Sequence, residues 1–367
     1  MKKKLLFLFV VMFSLSILSA GIVKLSGGRQ QISDDKVTIV TSFYPMYIIA
    51  LNLTENIDNV EVVNLTDNNV GCLHDYQLTT RDMRTLNDAN ILILNGGDME
   101  LFLENVLTSY PTLDIINASE GITFLEGVEH VHGDESSLDG IEGAYSQDED
   151  LDSHVDEDLH SHADEDHDHS TEVNETTEDA HNLEEDVHDH DGHTHSAING
   201  HVWLDMNRYL VQIDNVAKSL ALYDSKNANA YTQNAKTYME KVAKLRDEFE
   251  KAFAGQTGLE IVGFHGAFSY LADELSFEMI HSLDMDSDTV LSAGDIATVI
   301  EEVKHHNVKY LFAEEQYSKD IANRIAEETN AQVCILETLV SGEIDKDAYL
   351  TGMQKNLDIL KNILKSE

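Results

Sequence analysis

The sequence predicts an α/β protein of two lobes, each a mainly parallel sheet flanked by helices, joined by one long rigid helix. Three observations carry that prediction. From Val37 onward, short apolar runs alternate with helical stretches, and the alternation occurs in two successive series. Between the series, Asn227–Ala254 contains no Gly or Pro and places Ala235, Tyr238, Val242, Leu245, Phe249 and Phe253 on one helical face. At ~1.5 Å per residue that helix runs roughly 40 Å and acts as a strut, whereas a flexible linker is rich in Gly, Ser or Pro. Finally, what remains of the 367 residues outside the leader and one long acidic stretch is enough for two domains of roughly 125 residues each.

In chain order, Lys2, Lys3 and Lys4 precede an apolar run from Leu5 to Ile17 and the small residues Ser19, Ala20 and Gly21. This is the pattern of an export signal over 1–23, either cleaved or kept as an N-terminal anchor, with 24–36 as a linker. The chain is therefore expected outside the cytoplasm, in the periplasm or at the cell surface, with membrane tethering if the segment is kept. No Cys follows the signal, so the lipoprotein pattern is absent there. The N-terminal lobe is placed at 37–226, with strands Val37–Thr41, Val60–Leu65, Ile91–Leu94 and Asp114–Asn117 and helices Met46–Leu53, Thr80–Leu86 and Met99–Leu107. The linker helix spans 227–254. The C-terminal lobe spans 255–367, with strands near Glu260–Gly263, Phe277–Ile280, Val308–Ala313 and Gln332–Leu336. It ends in a helix whose Leu350, Met353, Leu357, Leu360 and Leu364 recur at spacings of three and four. Cys72 and Cys334 fall in different lobes and read as buried free thiols, the alternative being a disulfide that would tether one lobe to the other.

Lys and Arg number 24 against 68 Asp and Glu, a formal charge of −44. No basic residue occurs between Arg84 and Arg208, which excludes the cationic surface that nucleic-acid binding needs. The stretch 126–199 carries 26 acidic residues and no basic one. Twelve of the 18 histidines lie between His130 and His195, and His-x-His pairs begin at His130, His160, His167, His188 and His193. Too few apolar side chains are present to offset chain entropy, so this insertion into the first lobe is expected to be disordered. Paired imidazoles beside carboxylates suit borderline-soft cations such as Zn²⁺, Ni²⁺ or Cu²⁺, with many weak sites in place of one strong one.

Six histidines lie outside that loop. His305 and His306 sit on a polar helix end and read as solvated, and His281 reads as a surface-loop residue. His74, His201 and His265 sit where strands give way to loops, in Gly71-Cys-Leu-His-Asp-Tyr-Gln77, Asn199-Gly-His-Val-Trp-Leu-Asp205 and Ile261-Val-Gly-Phe-His-Gly-Ala267. Ligands of open α/β sheets bind at the carboxyl ends of strands, so such residues from two lobes can meet in one cleft. Spacing alone leaves open whether they do.

These segments, with Thr41-Ser-Phe-Tyr-Pro-Met46, Arg81-Asp-Met83, Asn95-Gly-Gly97, Phe312-Ala-Glu-Glu-Gln316 and Ile335-Leu-Glu-Thr-Leu-Val-Ser-Gly-Glu343, resemble the substrate-binding proteins of zinc and manganese ABC transporters. The resemblance is strongest to those of high-affinity zinc uptake and runs over nearly all of 37–367 apart from the loop. It implies a metal site in the inter-lobe cleft with His74, His201 and His265 as ligands and an acidic fourth ligand at Glu337. Here the chain departs from the family's frequent Asp-Pro-Leu-Gly pattern, and Glu314, Glu315 or water are alternatives. His265 stands where manganese-binding relatives have a carboxylate, which favours Zn²⁺ over Mn²⁺. Affinity is expected to fall below about pH 6, because only neutral imidazole ligates. The implied role is a non-enzymatic, monomeric receptor that hands zinc to a membrane permease driven by a separate ATPase. In agreement, the chain has neither a G-x-x-x-x-G-K-[ST] loop nor an H-E-x-x-H motif. A His-rich zinc storage or adhesion protein and a zinc hydrolase are the competing readings.

Overall fold

In the computed structural model, the described residues are 36–67, 73, 76–127, 198–283, 285, 291–315 and 318–364. The segment expected to be an export signal, nearly all of the His-rich insertion, Cys72 and His74 lie outside them. Among the described residues no helix is long and apolar enough to cross a membrane.

The first sheet contains β1 (Val37–Thr41), β2 (Val60–Asn64), β3 (Ile91–Leu94) and β4 (Asp114–Asn117), all parallel, in the order β2-β1-β3-β4. Helices α1 (Tyr44–Leu53) and α2 (Thr80–Asn87) follow β1 and β2. Pro45 starts α1 where its missing N–H costs nothing. Thr79 and Asp82 cap α2 reciprocally. The helix expected over Met99–Leu107 is instead a 3₁₀ turn at Leu101–Leu103 running into one α turn, α3 (Glu104–Leu107). The reason is Glu100, which is drawn into the core to accept from Ser42 Oγ (2.7 Å) and from the backbone N–H groups of Asn95 (2.7 Å) and Gly96 (3.0 Å).

After the short antiparallel pair β5 (Leu125–Glu126) and β6 (Ile198–Asn199) come two long helices, α4 (Met206–Tyr223) and α5 (Ala228–Phe253). Helix α4 is absent from the sequence reading. Its start is set by Asp205, whose carboxylate accepts from the Asn207 (2.8 Å) and Arg208 (3.0 Å) N–H groups. The strut α5 buries every residue of the expected apolar face, and Tyr231 as well. It packs on α1 from the first half of the chain and, from the second, on α6 (Ala267–Leu275) and α9 (Ala348–Leu364), so it braces both sheets.

The second sheet is built from β7 (Glu260–Gly263), β8 (Glu278–Ser282), β9 (Tyr310–Ala313) and β10 (Gln332–Ile335), with α7 (Ala293–His306) and α8 (Lys319–Thr329) between them. Its order, β10-β9-β7-β8, repeats that of the first sheet: in each, the first strand of the series lies between the second and the third. Strand β8 runs past the expected end because an irregularity at Ile261/Val262 brings His281 opposite Val262. His281 is thus a half-buried strand residue, not a loop residue. One apolar cluster runs from Ile39 and Met46 through Trp203, Tyr238 and Phe249 to Phe268, Phe312 and Leu357, joining the two halves.

Candidate metal site between the two sheets

In both sheets the first and third strands are neighbours whose connections depart in opposite directions, which opens a crevice at their carboxyl ends. On the second sheet that crevice carries His265, two residues past β7, and Glu314, one residue past β9. On the first it carries Ser42 past β1 and Asn95-Gly-Gly97 past β3.

His201 reaches the crevice on the turn after β6. Asn95 holds that turn through Nδ2, which donates to Gly200 O (2.9 Å), and Asn95 Oδ1 in turn accepts from Gln212 (2.8 Å). Gly200 is required here: a Cβ would stand 2.5 Å from Gly97 O. Trp203 Nε1 then donates to Thr338 O across the cleft (2.7 Å), and the Tyr349 hydroxyl donates to Trp203 O (2.8 Å).

His201 and His265 meet. Both are buried, at 1% and 2% exposure, and their ring centroids are 4.8 Å apart at 75°. Asn199 fastens them together. Its Nδ2 donates to Gly266 O (2.8 Å), which turns its Oδ1 toward His201, where it contacts the backbone N (3.1 Å) and Nδ1 (2.8 Å). The proton of a neutral His201 ring therefore sits on Nδ1, and Nε2 is the nitrogen suited to ligate. His265 differs: its Nδ1 accepts the Ala267 N–H (3.1 Å), so its neutral ring is protonated on Nε2. Gly266 permits the close approach, since a Cβ there would lie 3.1 Å from His201 Nδ1.

The acidic candidates separate. Glu337 is held at its backbone by Asn356, which accepts from Glu337 N and donates to Glu337 O, each at 2.8 Å. Its side chain is 43% exposed and is paired with Lys355. Glu314 is buried at 7% exposure; one carboxylate oxygen accepts from the Thr338 hydroxyl and the other has no hydrogen-bond partner among the described residues. Glu315 pairs with Lys319. Leu339, in the same turn, has a left-handed backbone with φ 60°, a conformation that costs a non-glycine residue about 1 kcal/mol. Among the described residues no third His, Cys, Asp or Glu ligand atom lies within 4.8 Å of those of both histidines. His74 falls outside them. The sequence reading named the histidines but missed Asn199, Asn95 and Thr338, although all three stand in the very segments it singled out.

Two parallel sheets of repeated order, braced by one helix and presenting buried histidines at their facing strand ends, define a two-lobed binding protein of the metal-binding class. Solved structures share this fold. The substrate-binding protein FpvC of Pseudomonas aeruginosa, in complex with Ni²⁺, aligns with a TM-score of 0.66 at 19% identity, covering 91% of this chain and 98% of that one. Zn(II)-bound AdcA from Streptococcus pneumoniae aligns with a TM-score of 0.62 at 20% identity, covering 89% and 57%. The chain belongs to the family of the zinc-uptake complex component A, periplasmic, which matches residues 39–363. The zinc-binding protein AdcA of Streptococcus pyogenes serotype M3 is 26% identical over 98% of this chain. The high-affinity zinc uptake system protein ZnuA of Bacillus subtilis is 26% identical over 99% of both chains. The chain spans 61% of the length of the streptococcal protein.

Proposed function

We propose that this protein is an extracytoplasmic receptor that captures Zn²⁺ in the cleft and delivers it to an ABC permease served by a separate ATPase. The observation that carries the reading is the pair His201 and His265, brought together at 4.8 Å from opposite sides of the cleft. With Zn–N bonds of ~2.0–2.1 Å, two imidazoles on one tetrahedral ion have centroids about 5 Å apart, so this pair has the spacing of two zinc ligands. His74 supplies the third imidazole and Glu337 the fourth group. Family membership, and relatives named for zinc binding and zinc uptake, support the same cargo.

Capture is then a local event. The Glu337 carboxylate leaves Lys355, an exposed ion pair worth at most about 1 kcal/mol, and turns inward. His265 offers Nε2 only after its proton moves or its ring turns away from the Ala267 N–H. Movement confined to the turns at 264–267 and 336–340 fits a frame in which α5 ties both halves together. Glu314, through Thr338, holds the second of these turns.

The test is competition of the full chain against a tight chromophoric zinc chelator, below one equivalent of zinc so that the His-rich loop does not contribute. H74A, H201A and H265A each abolish the tight first equivalent; retention of nanomolar affinity by all three refutes the reading.

A further inference from the structure

A second cluster of metal-ligating side chains lies at the opposite end of the second sheet. Helix α7 ends at His306, and Glu302, His305 and His306 place one ligand atom each within 4.8 Å of one another. The spacing is what brings them together: residues three and four apart share a helix face, so Glu302 lies one turn before both histidines. His306 Nε2 is 3.5 Å from Glu302 Oε2, and His306 Nδ1 is 3.5 Å from Glu260 Oε1, on the first residue of β7. The His305 and His306 rings are 4.9 Å apart at 84°, much like the cleft pair. His305 is exposed, and the side chains of His306, Glu302 and Glu260 are 33%, 41% and 35% exposed, so an ion reaches them from solvent. Glu260 opens β7 and Gly263 closes it, a rise of about 10 Å, and His265 lies two residues beyond that far end, so this cluster is separate from the cleft.

We propose that Glu302, His305 and His306 form a second, solvent-facing site for a borderline divalent cation of the Zn²⁺, Ni²⁺ or Cu²⁺ class. Two imidazoles and a carboxylate are the donor set such ions prefer. Glu260 acts on His306 from the other side: a carboxylate facing Nδ1 keeps the proton there and leaves Nε2 for the metal. The negative end of the α7 macrodipole adds to the attraction for a cation. Three protein ligands in water make this a weaker, faster-exchanging site than a buried one. It extends to the folded surface the cation-collecting chemistry that composition assigns to the His-rich loop.

The experiment uses the full chain with zinc buffered by a chelator, so that the loop does not deplete it. Acylation of each histidine by diethyl pyrocarbonate is followed by peptide mass spectrometry. Free zinc is expected to slow labelling of His305 and His306 about fivefold or more. E302Q, checked for native circular dichroism, shifts the midpoint of that protection to about tenfold higher zinc or beyond. H201A, which acts only in the cleft, leaves the midpoint where it was. Equal labelling with and without zinc overturns the site. An unshifted midpoint in E302Q overturns the three-ligand assignment, and loss of protection in H201A shows that the cluster merely reports the cleft.

Discussion

Asn199 is the most economical test of how the cleft is assembled, because one amide touches both histidine loops. Replacing it with alanine removes the contacts of Oδ1 with His201 N and Nδ1 and the bond from Nδ2 to Gly266 O. At about 1 kcal/mol per buried hydrogen bond, Asn199→Ala costs roughly 2–3 kcal/mol of stability. Its effect on zinc is separate. Loss of the group that fixes the tautomer and orientation of a ligating histidine weakens metal binding about 10–100-fold, or roughly 1.4–2.7 kcal/mol. Asn199→Asp separates the two effects: it keeps an acceptor for His201 Nδ1 but sets a carboxylate oxygen against Gly266 O, so it loses stability while retaining more affinity than the alanine variant. Chelator competition for the first equivalent of zinc on the full chain measures affinity, and urea unfolding of the metal-free protein measures stability. A first-equivalent Kd for Asn199→Ala within twofold of the native value refutes the argument, as does equal affinity of the two variants.

Three further outcomes follow from particular residues. Glu337→Gln is expected to weaken the first equivalent of zinc about tenfold while Glu314→Gln leaves it within threefold; the reverse pattern in the same titration moves the acidic ligand to Glu314, whose second oxygen has no hydrogen-bond partner among the described residues. Burial pushes the Glu100 carboxyl up to about 7 from an ordinary 4.5, in spite of donated hydrogen bonds from Ser42, Asn95 and Gly96 that pull it down. A carboxyl raised on folding contributes its full stability below about pH 4.5 and loses it as pH climbs through 7, about 3 kcal/mol in all. Glu100→Gln removes that part of the slope of unfolding free energy against pH and leaves the part from Glu274, whose carboxyl burial pushes up to about 8; an unchanged slope contradicts the assignment. Cys334 is a buried free thiol pushed by burial to about 12, so in a Cys72→Ser chain Ellman's reagent at pH 8 reaches it only as fast as the protein unfolds, and rapid labelling of that native variant excludes its burial.

The strands were legible because a strand of a helix-flanked parallel sheet leaves a short apolar run, clearest in Val37–Thr41 and Ile91–Leu94, which are buried almost throughout. Val37–Thr41, Ile91–Leu94, Asp114–Asn117 and Glu260–Gly263 have their expected bounds. The strut was legible for a related reason: twenty-six residues without Gly or Pro, apolar on one face, form little else. Helix α4 was missed although it is also amphipathic and is capped by Asp205, because it lies between the acidic insertion and the strut, where no strand run marks a boundary. The break at Glu100 was illegible, since a local pattern cannot show that a carboxylate two residues into a helix is taken up by a strand end.

For the site, position at strand-to-loop junctions and the family resemblance singled out His74, His201 and His265 as candidates, because imidazoles at such junctions are visible in one dimension. That their rings stand 4.8 Å apart, that Asn199 ties one to the loop of the other, and that Glu337 lies with Lys355 while Glu314 is buried under Thr338 came only from tertiary structure. Secondary structure is dictated by neighbours within a turn or a strand, and the sequence records those neighbours directly. A metal site joins residues more than sixty positions apart, and their distances are settled only when two separately formed sheets pack against one helix and the packing selects a single register between them.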